Sequence, residues 1–171
     1  MTPSERTNRG PAAAAEIFSE QGLNAPLNAI AKRAGVGQGS LYRHFPTRAS
    51  LALAAFDVGL TEMEELVARG GTLAQVLAMV TEQAMASVAF LEILVPLAPE
   101  EEGALMESRI RAIIDATIDE GVTSRTVPAH YTVDEVLLAI RMVSGALGGS
   151  AVAEREQLAA NSWRLLSIRV Q

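Results

Sequence analysis

The sequence predicts an all-α protein with a small basic head and a larger acidic body. Three observations carry this. Hydrophobic residues make up 49% of the 171-residue chain but aromatics only 4%, so the apolar content rests on Ala, Leu, Val and Ile, of which Ala and Leu are strong helix formers. Apolar residues recur at three- and four-residue spacing. Charge is divided unevenly: residues 1–50 hold six basic against three acidic side chains, net +3, whereas the remainder holds eight against seventeen, net −9. Such a head on such a body is the pattern of a chain that meets a polyanion at one end only. The length suffices for one or two small domains, each with an apolar core.

In the head, a first helix is expected over Pro11–Gln21, with Pro11 at its first position, Ala14, Ile17 and Phe18 on one face, and Gly22 ending it. A second begins near Pro26, where Leu27, Ile30, Ala31 and Ala34 form an apolar stripe. Gly35 stands where a left-handed cap wants glycine, and Val36 plugs the turn. A third short helix runs from about Gln38 to Phe45 and stops before Pro46. Its Leu41 and Phe45 face the core, leaving Gln38, Gly39, Ser40, Tyr42, Arg43 and His44 outside. Two short helices joined by a glycine-containing turn make a helix-turn-helix unit, whose second helix enters the DNA major groove. Gln suits adenine, Arg and His suit guanine or phosphate, and Tyr42 offers a hydroxyl to phosphate and a ring to a thymine methyl.

The runs Ala14-Ala15-Glu16-Ile17-Phe18-Ser19-Glu20-Gln21-Gly22, Ile30-Ala31-Lys32-Arg33-Ala34-Gly35-Val36 and Gly39-Ser40-Leu41-Tyr42-Arg43-His44-Phe45-Pro46-Thr47-Arg48, with Leu51, resemble the DNA-binding domain of the TetR family over about residues 9–55. The resemblance implies groove contacts by Gln38, Gly39, Tyr42 and His44, and phosphate clamping by Ser40 and Arg48, with Arg43 and Arg33 as further DNA-facing cations. For Lys32 a solvated helix end is the preferred reading. Three departures stand out. Ala25 occupies the place of a phosphate-binding threonine, leaving only its backbone N–H. Gly37 replaces the usual capping serine. Gly10-Pro11 replaces two large aliphatics, which implies a shortened first helix.

The body reads as helical from Thr47 onward. Thr47 caps a fourth helix reaching about Arg69, Thr72–Leu94 gives a fifth, Pro99–Glu120 one or two more, and Thr132–Leu147 and Arg155–Arg169 the last pair. The domain boundaries expected are 1–50 for the DNA-binding domain and 51–171 for the effector-binding and dimerisation domain. The resemblance implies dimerisation through the last two helices, whose stripes are Val133, Val136, Leu137, Ile140 and Leu147, then Leu158, Leu165 and Leu166; intrachain core explains the same stripes. It also implies an effector site among the middle helices. Met63, Leu66, Met79, Met85, Phe90, Met106, Ile110, Ile113, Met142 and Trp163 are the candidates, Met being adaptable to varied ligand shapes. Arg109, Arg111 or Arg141 would meet an acidic ligand, or else pair with Glu107, Asp115 or Glu135.

The chain has no cysteine and only His44 and His130, so disulfides and thiolate sites are excluded, and neither a metal site nor a cofactor is expected. No Gly-rich phosphate loop or Ser-x-x-Lys pair is present, and no catalytic residues are assigned. The longest apolar run, Val88–Ala98, is broken by Glu92 and Pro96 and is too short to span a bilayer; without a signal-peptide layout at the N-terminus, the expectation is a cytoplasmic protein without membrane contact. The function expected is a transcriptional regulator, a repressor, binding a palindromic duplex operator as a homodimer and released by a largely apolar small molecule. The alternative is a TetR-like ligand- or protein-binding module with weak or lost specific DNA binding.

Overall fold

The computed structural model describes residues 3–22, 24–86, 100–148 and 150–170. They form α1 (Pro3–Gln21), α2 (Leu27–Ala34), α3 (Gln38–His44), α4 (Arg48–Ala68), α5 (Leu73–Ala86), α6 (Glu100–Thr123), α7 (Val133–Gly148) and α8 (Arg155–Leu165), with a short 3-10 turn at Val152–Glu154. Among the described residues there is no strand, and no helix is long and apolar enough to cross a membrane. The all-α expectation therefore holds. The expected extension of the fifth helix to Leu94 falls on residues outside those described.

The head is α1, α2, α3 and the first half of α4. Gly35 adopts φ 67°, ψ 30°, the left-handed cap that its place after Ala34 demanded. Its N–H donates to the Lys32 carbonyl and that of Val36 to the Ala31 carbonyl, which ends α2 and turns the chain into α3. The first helix is longer than expected, because Pro11 lies inside α1 rather than at its start. Tertiary packing overrides the local break. Gly10 and Pro11 are both buried, and a Cβ added at Gly10 would stand 3.1 Å from Leu41 Cδ1 and 3.4 Å from the Phe45 ring. The glycine that reads as a defect in sequence is where Leu41 and Phe45 pack closely against α1.

Thr47 caps α4 as expected: its Oγ1 accepts from the Ser50 N–H at 3.0 Å, and the Ser50 hydroxyl accepts from the Thr47 N–H at 3.3 Å. α4 then serves two cores. Leu51, Ala52 and Ala55 are buried with Ala14, Ile17, Phe18, Ile30 and Leu41 of the head. Leu60 and Met63 are buried with Leu73, Val76 and Leu77 of α5, Ile113 and Ile114 of α6, and Val136, Val143 and Leu147 of α7. Phe56 packs against both clusters. The packing has no break at residue 50, since the head's core continues to Ala55. At the far side of the body, the Trp163 indole N–H donates to the Thr81 hydroxyl at 2.9 Å, which satisfies two buried polar groups at once.

A polar clamp holds α4 to α6. The Arg109 guanidinium donates to both Glu64 oxygens, from Nε at 2.7 Å and Nη2 at 2.9 Å, to Asp57, and to the Thr61 hydroxyl at 3.2 Å. Three successive turns of α4 thus converge on one cation. The hydrogen bonds from Arg109 hold the Glu64 carboxyl below its ordinary range, and in return raise the guanidinium's already high value. A lowered carboxylate pKa contributes stability above the unfolded value of about 4.3 and loses it as pH falls through the folded value. Glu64 is 41% exposed, so solvent screening limits the gain to about 1 kcal/mol. Arg109→Met is therefore expected to lower unfolding free energy by about that amount at neutral pH, with the deficit shrinking below about pH 4. Urea titrations of both proteins at pH 7 and pH 3 measure it; a deficit equal at the two values would mean that the clamp is not ionic.

Candidate functional site

Two features of the fold can meet other molecules: the outer face of α3 and a cavity between head and body. On α3, Leu41 is buried and Phe45, just past its end, is half-buried, which fixes the helix's rotation. Gln38, Gly39, Ser40, Tyr42, Arg43 and His44 are all exposed, Tyr42 at 43%. None of these polar side chains is engaged in a hydrogen bond or ion pair with another described residue. A solvated helix of this kind presents donors and acceptors of the sort that read base edges, without the Glu and Lys of an ordinary surface helix.

The other two cations assigned to DNA are placed differently. Arg33 bridges α2 to α1, 2.6 Å from Glu16 and 3.1 Å from Glu20, and the hydrogen bonds it donates to Glu20 and then Glu16 raise its pKa further. Arg48 donates from Nη1 to the Ala25 carbonyl at 2.6 Å, tying the start of α4 to the turn before α2. The Ala25 N–H, the expected substitute for a lost threonine hydroxyl, donates to the Gly22 carbonyl at 3.0 Å. Gly37 sits at the N-cap of α3 with no side-chain cap bond. Both guanidiniums thus have intramolecular work, and the polar face of the head is concentrated on α3.

The cavity has a volume of about 290 Å³. It lies where α1, α4, α5, α6 and α7 converge, walled by Ala15 and Phe18, by Ala52, Ala55, Phe56, Gly59, Leu60 and Met63, by Val76, Met79 and Val80, by Ile110, Ile113 and Ile114, and by Ile140 and Ser144. Glu62, Glu82, Gln83 and Ala84 complete the lining. Of the candidate pocket residues, the structure brings Met63, Met79, Ile110 and Ile113 together here. Leu66, Met85 and Met106 pack half-buried on the body's core without lining the space. Trp163 is committed to Thr81, Met142 is 55% exposed, and Phe90 lies outside the described residues. The lining residues not anticipated include large ones, Phe18, Phe56, Leu60, Val76, Val80 and Ile114, and small ones, Ala52, Ala55 and Gly59 on one face of α4. At Gly59 the space that a side chain would take is filled by Gln83 of α5.

Among the residues expected at a dimer interface, Val136, Leu137 and Leu147 are buried in the chain's own core and Ile140 lines the cavity. Val133, Leu158 and Leu166 are half-buried against that core, and Leu165 is 82% exposed. The exposed large apolar side chains on the last helices are Leu138 and Met142 of α7, 52% and 55% exposed, together with the expected Leu165 of α8. Leu138 and Met142 are four apart, so they share a face that the intrachain stripe masks in sequence. Among the described residues no group of three or more His, Asp or Glu side chains has a metal-binding arrangement.

These features agree with what the chain is similar to. The family model described as bacterial regulatory proteins, tetR family, matches residues 12–55. A TetR transcriptional regulator from Streptomyces coelicolor superposes with a TM-score of 0.59 at 25% sequence identity, over 94% of this chain and 97% of that one. A transcriptional regulator from Bacillus subtilis solved in complex with stearoyl-CoA aligns at 21% identity over 95% of this chain and 97% of that one, with a TM-score of 0.47. No curated protein matches the sequence. Residues 12–55 thus carry the helix-turn-helix region of the tetR family of bacterial regulatory proteins, with the polar face of α3 exposed, and over its whole length the chain is similar to the Streptomyces coelicolor TetR transcriptional regulator.

Proposed function

We propose that this protein is a cytoplasmic transcriptional repressor that binds a palindromic operator as a homodimer and is released by a small, largely apolar effector. The observation that carries this reading is the position of the cavity. Its walls include Ala15, Phe18, Ala52 and Ala55 from the head's core and Ile113, Ile140 and Ser144 from the body. An occupant touches both units at once. A ligand that fits one arrangement of head and body better than the other shifts the balance between them by its differential affinity. Because α4 belongs to both cores, a tilt of the head moves α3 with it. Two α3 helices must be about 34–36 Å apart to enter successive major grooves, so a modest tilt in each protomer releases DNA.

The dimer face best supported is the exposed set Leu138, Met142 and Leu165, since Val136, Leu137 and Leu147 already have intrachain partners. Gly145 lies on the same face of α7 with open space around its Cα, which lets a second helix come close. Leu138→Glu combined with Leu165→Glu is expected to convert the dimer to a folded monomer in sedimentation experiments. A dimer that survives both changes would place the interface elsewhere.

DNA reading is tested by selecting bound duplexes from a random pool. Wild type is expected to enrich a palindrome that Gln38→Ala/Tyr42→Ala does not, and binding to that palindrome should fall steeply with salt as phosphate contacts release counterions. The alternative, a TetR-like ligand- or protein-binding module without specific DNA binding, draws support from the internal engagement of Arg33 and Arg48. No enrichment at low salt by a folded dimer would favour it.

A further inference from the structure

The charges around the cavity point to the kind of molecule it takes. The depth of the site is apolar, with Phe18, Met63 and Ile113 among its walls, whereas its lining includes two exposed carboxylates, Glu62 on α4 and Glu82 on α5. Gly59 and Gln83, close to them in sequence, bring these two helices together: a Cβ at Gly59 would collide with the Gln83 amide. No lysine or arginine lines the site among the described residues. Residues 87–99 contribute no cation in sequence either, their single charged residue being Glu92.

Three of the body's cations are paired with carboxylates within the chain, and Arg155 donates to the Met85 carbonyl at 2.7 Å without lining the site. Arg109 is held by Glu64 and Asp57. Arg111 lies 2.7 Å from Asp134, and Arg141 lies 3.7 Å from Glu107. Neither Glu62 nor Glu82 has an ion-pair partner among the described residues. A carboxylate or phosphate ligand would therefore enter a mouth that repels it and meet no counter-charge inside. A neutral ligand would leave the two carboxylates unused. An organic cation with an apolar tail matches both parts: the tail leaves water for the interior, and the ammonium stays at the solvent edge between two acceptors.

We propose that the cavity binds a small amphipathic organic cation, its apolar portion inside and its charged group held at the rim by Glu62 and Glu82. This rests on the cavity being the effector site, and three probes with one scaffold separate the two ideas: 4-phenylbutylamine, 4-phenylbutanol and 4-phenylbutyrate, titrated calorimetrically at neutral pH and low salt. Exposed ion pairs are worth up to about five-fold each in affinity, so the amine is expected to bind roughly ten-fold tighter than the alcohol, and the carboxylate weakest of all. Glu62→Gln/Glu82→Gln is expected to bring the amine to within about two-fold of the alcohol, and raised salt to narrow the gap in wild type. Equal binding of amine and alcohol by wild type, tightest binding of the carboxylate, or an amine preference retained in the double variant would overturn the proposal while leaving the cavity as a ligand site. Failure of all three probes to bind folded protein would overturn the cavity reading and this proposal together.

Discussion

The structure depends on the double membership of α4. A helix of 21 residues, about 30 Å long, gives its first turns to the head's core and its later turns to the body's, with Phe56 touching both. Neither unit can repack that helix without cost to the other, because close-packed interiors transmit displacement instead of absorbing it. The capping box at Thr47 fixes where the helix starts, Arg48 ties that start to the turn before α2, and the Arg109 clamp fixes its middle against α6. Through this one helix the packing of the body is continuous with that of the head.

The cavity follows from the same helix. Ala52 and Ala55 place little volume on the lining face of α4, while at Gly59 the Gln83 side chain of α5 fills the space. The space is bounded by side chains from both units because α4 belongs to both cores.

Electrostatics divide the molecule in a way that net charge conceals. Four arginines form bridges between helices: Arg33 across α1 and α2, Arg109 across α4 and α6, Arg111 and Arg141 between α6 and α7. The face of α3 is polar and without internal partners among the described residues, whereas the exposed charged side chains lining the cavity, Glu62 and Glu82, are acidic.

Much of this was legible in sequence because it is local. Gly35 after an apolar 27–30–31–34 stripe specifies a helix end, Thr47 specifies a helix start, and Leu41 with Phe45 specifies which side of α3 faces out; each follows from backbone sterics or helical period alone. The helices of the body were equally readable from their spacing. What only the tertiary structure decided was pairing. Gly10-Pro11 looks like a break until the helix is seen to run through it with Leu41 and Phe45 packed at Gly10, and the internal partners of Arg33 and Arg48, which are Glu16, Glu20 and the Ala25 carbonyl, come from other segments of the chain. Val136 and Leu138 are equally apolar letters, yet one is buried in the chain and the other exposed. Helical period gives the faces of one helix but not the identity of what each face meets, because that depends on crossings between segments far apart in sequence.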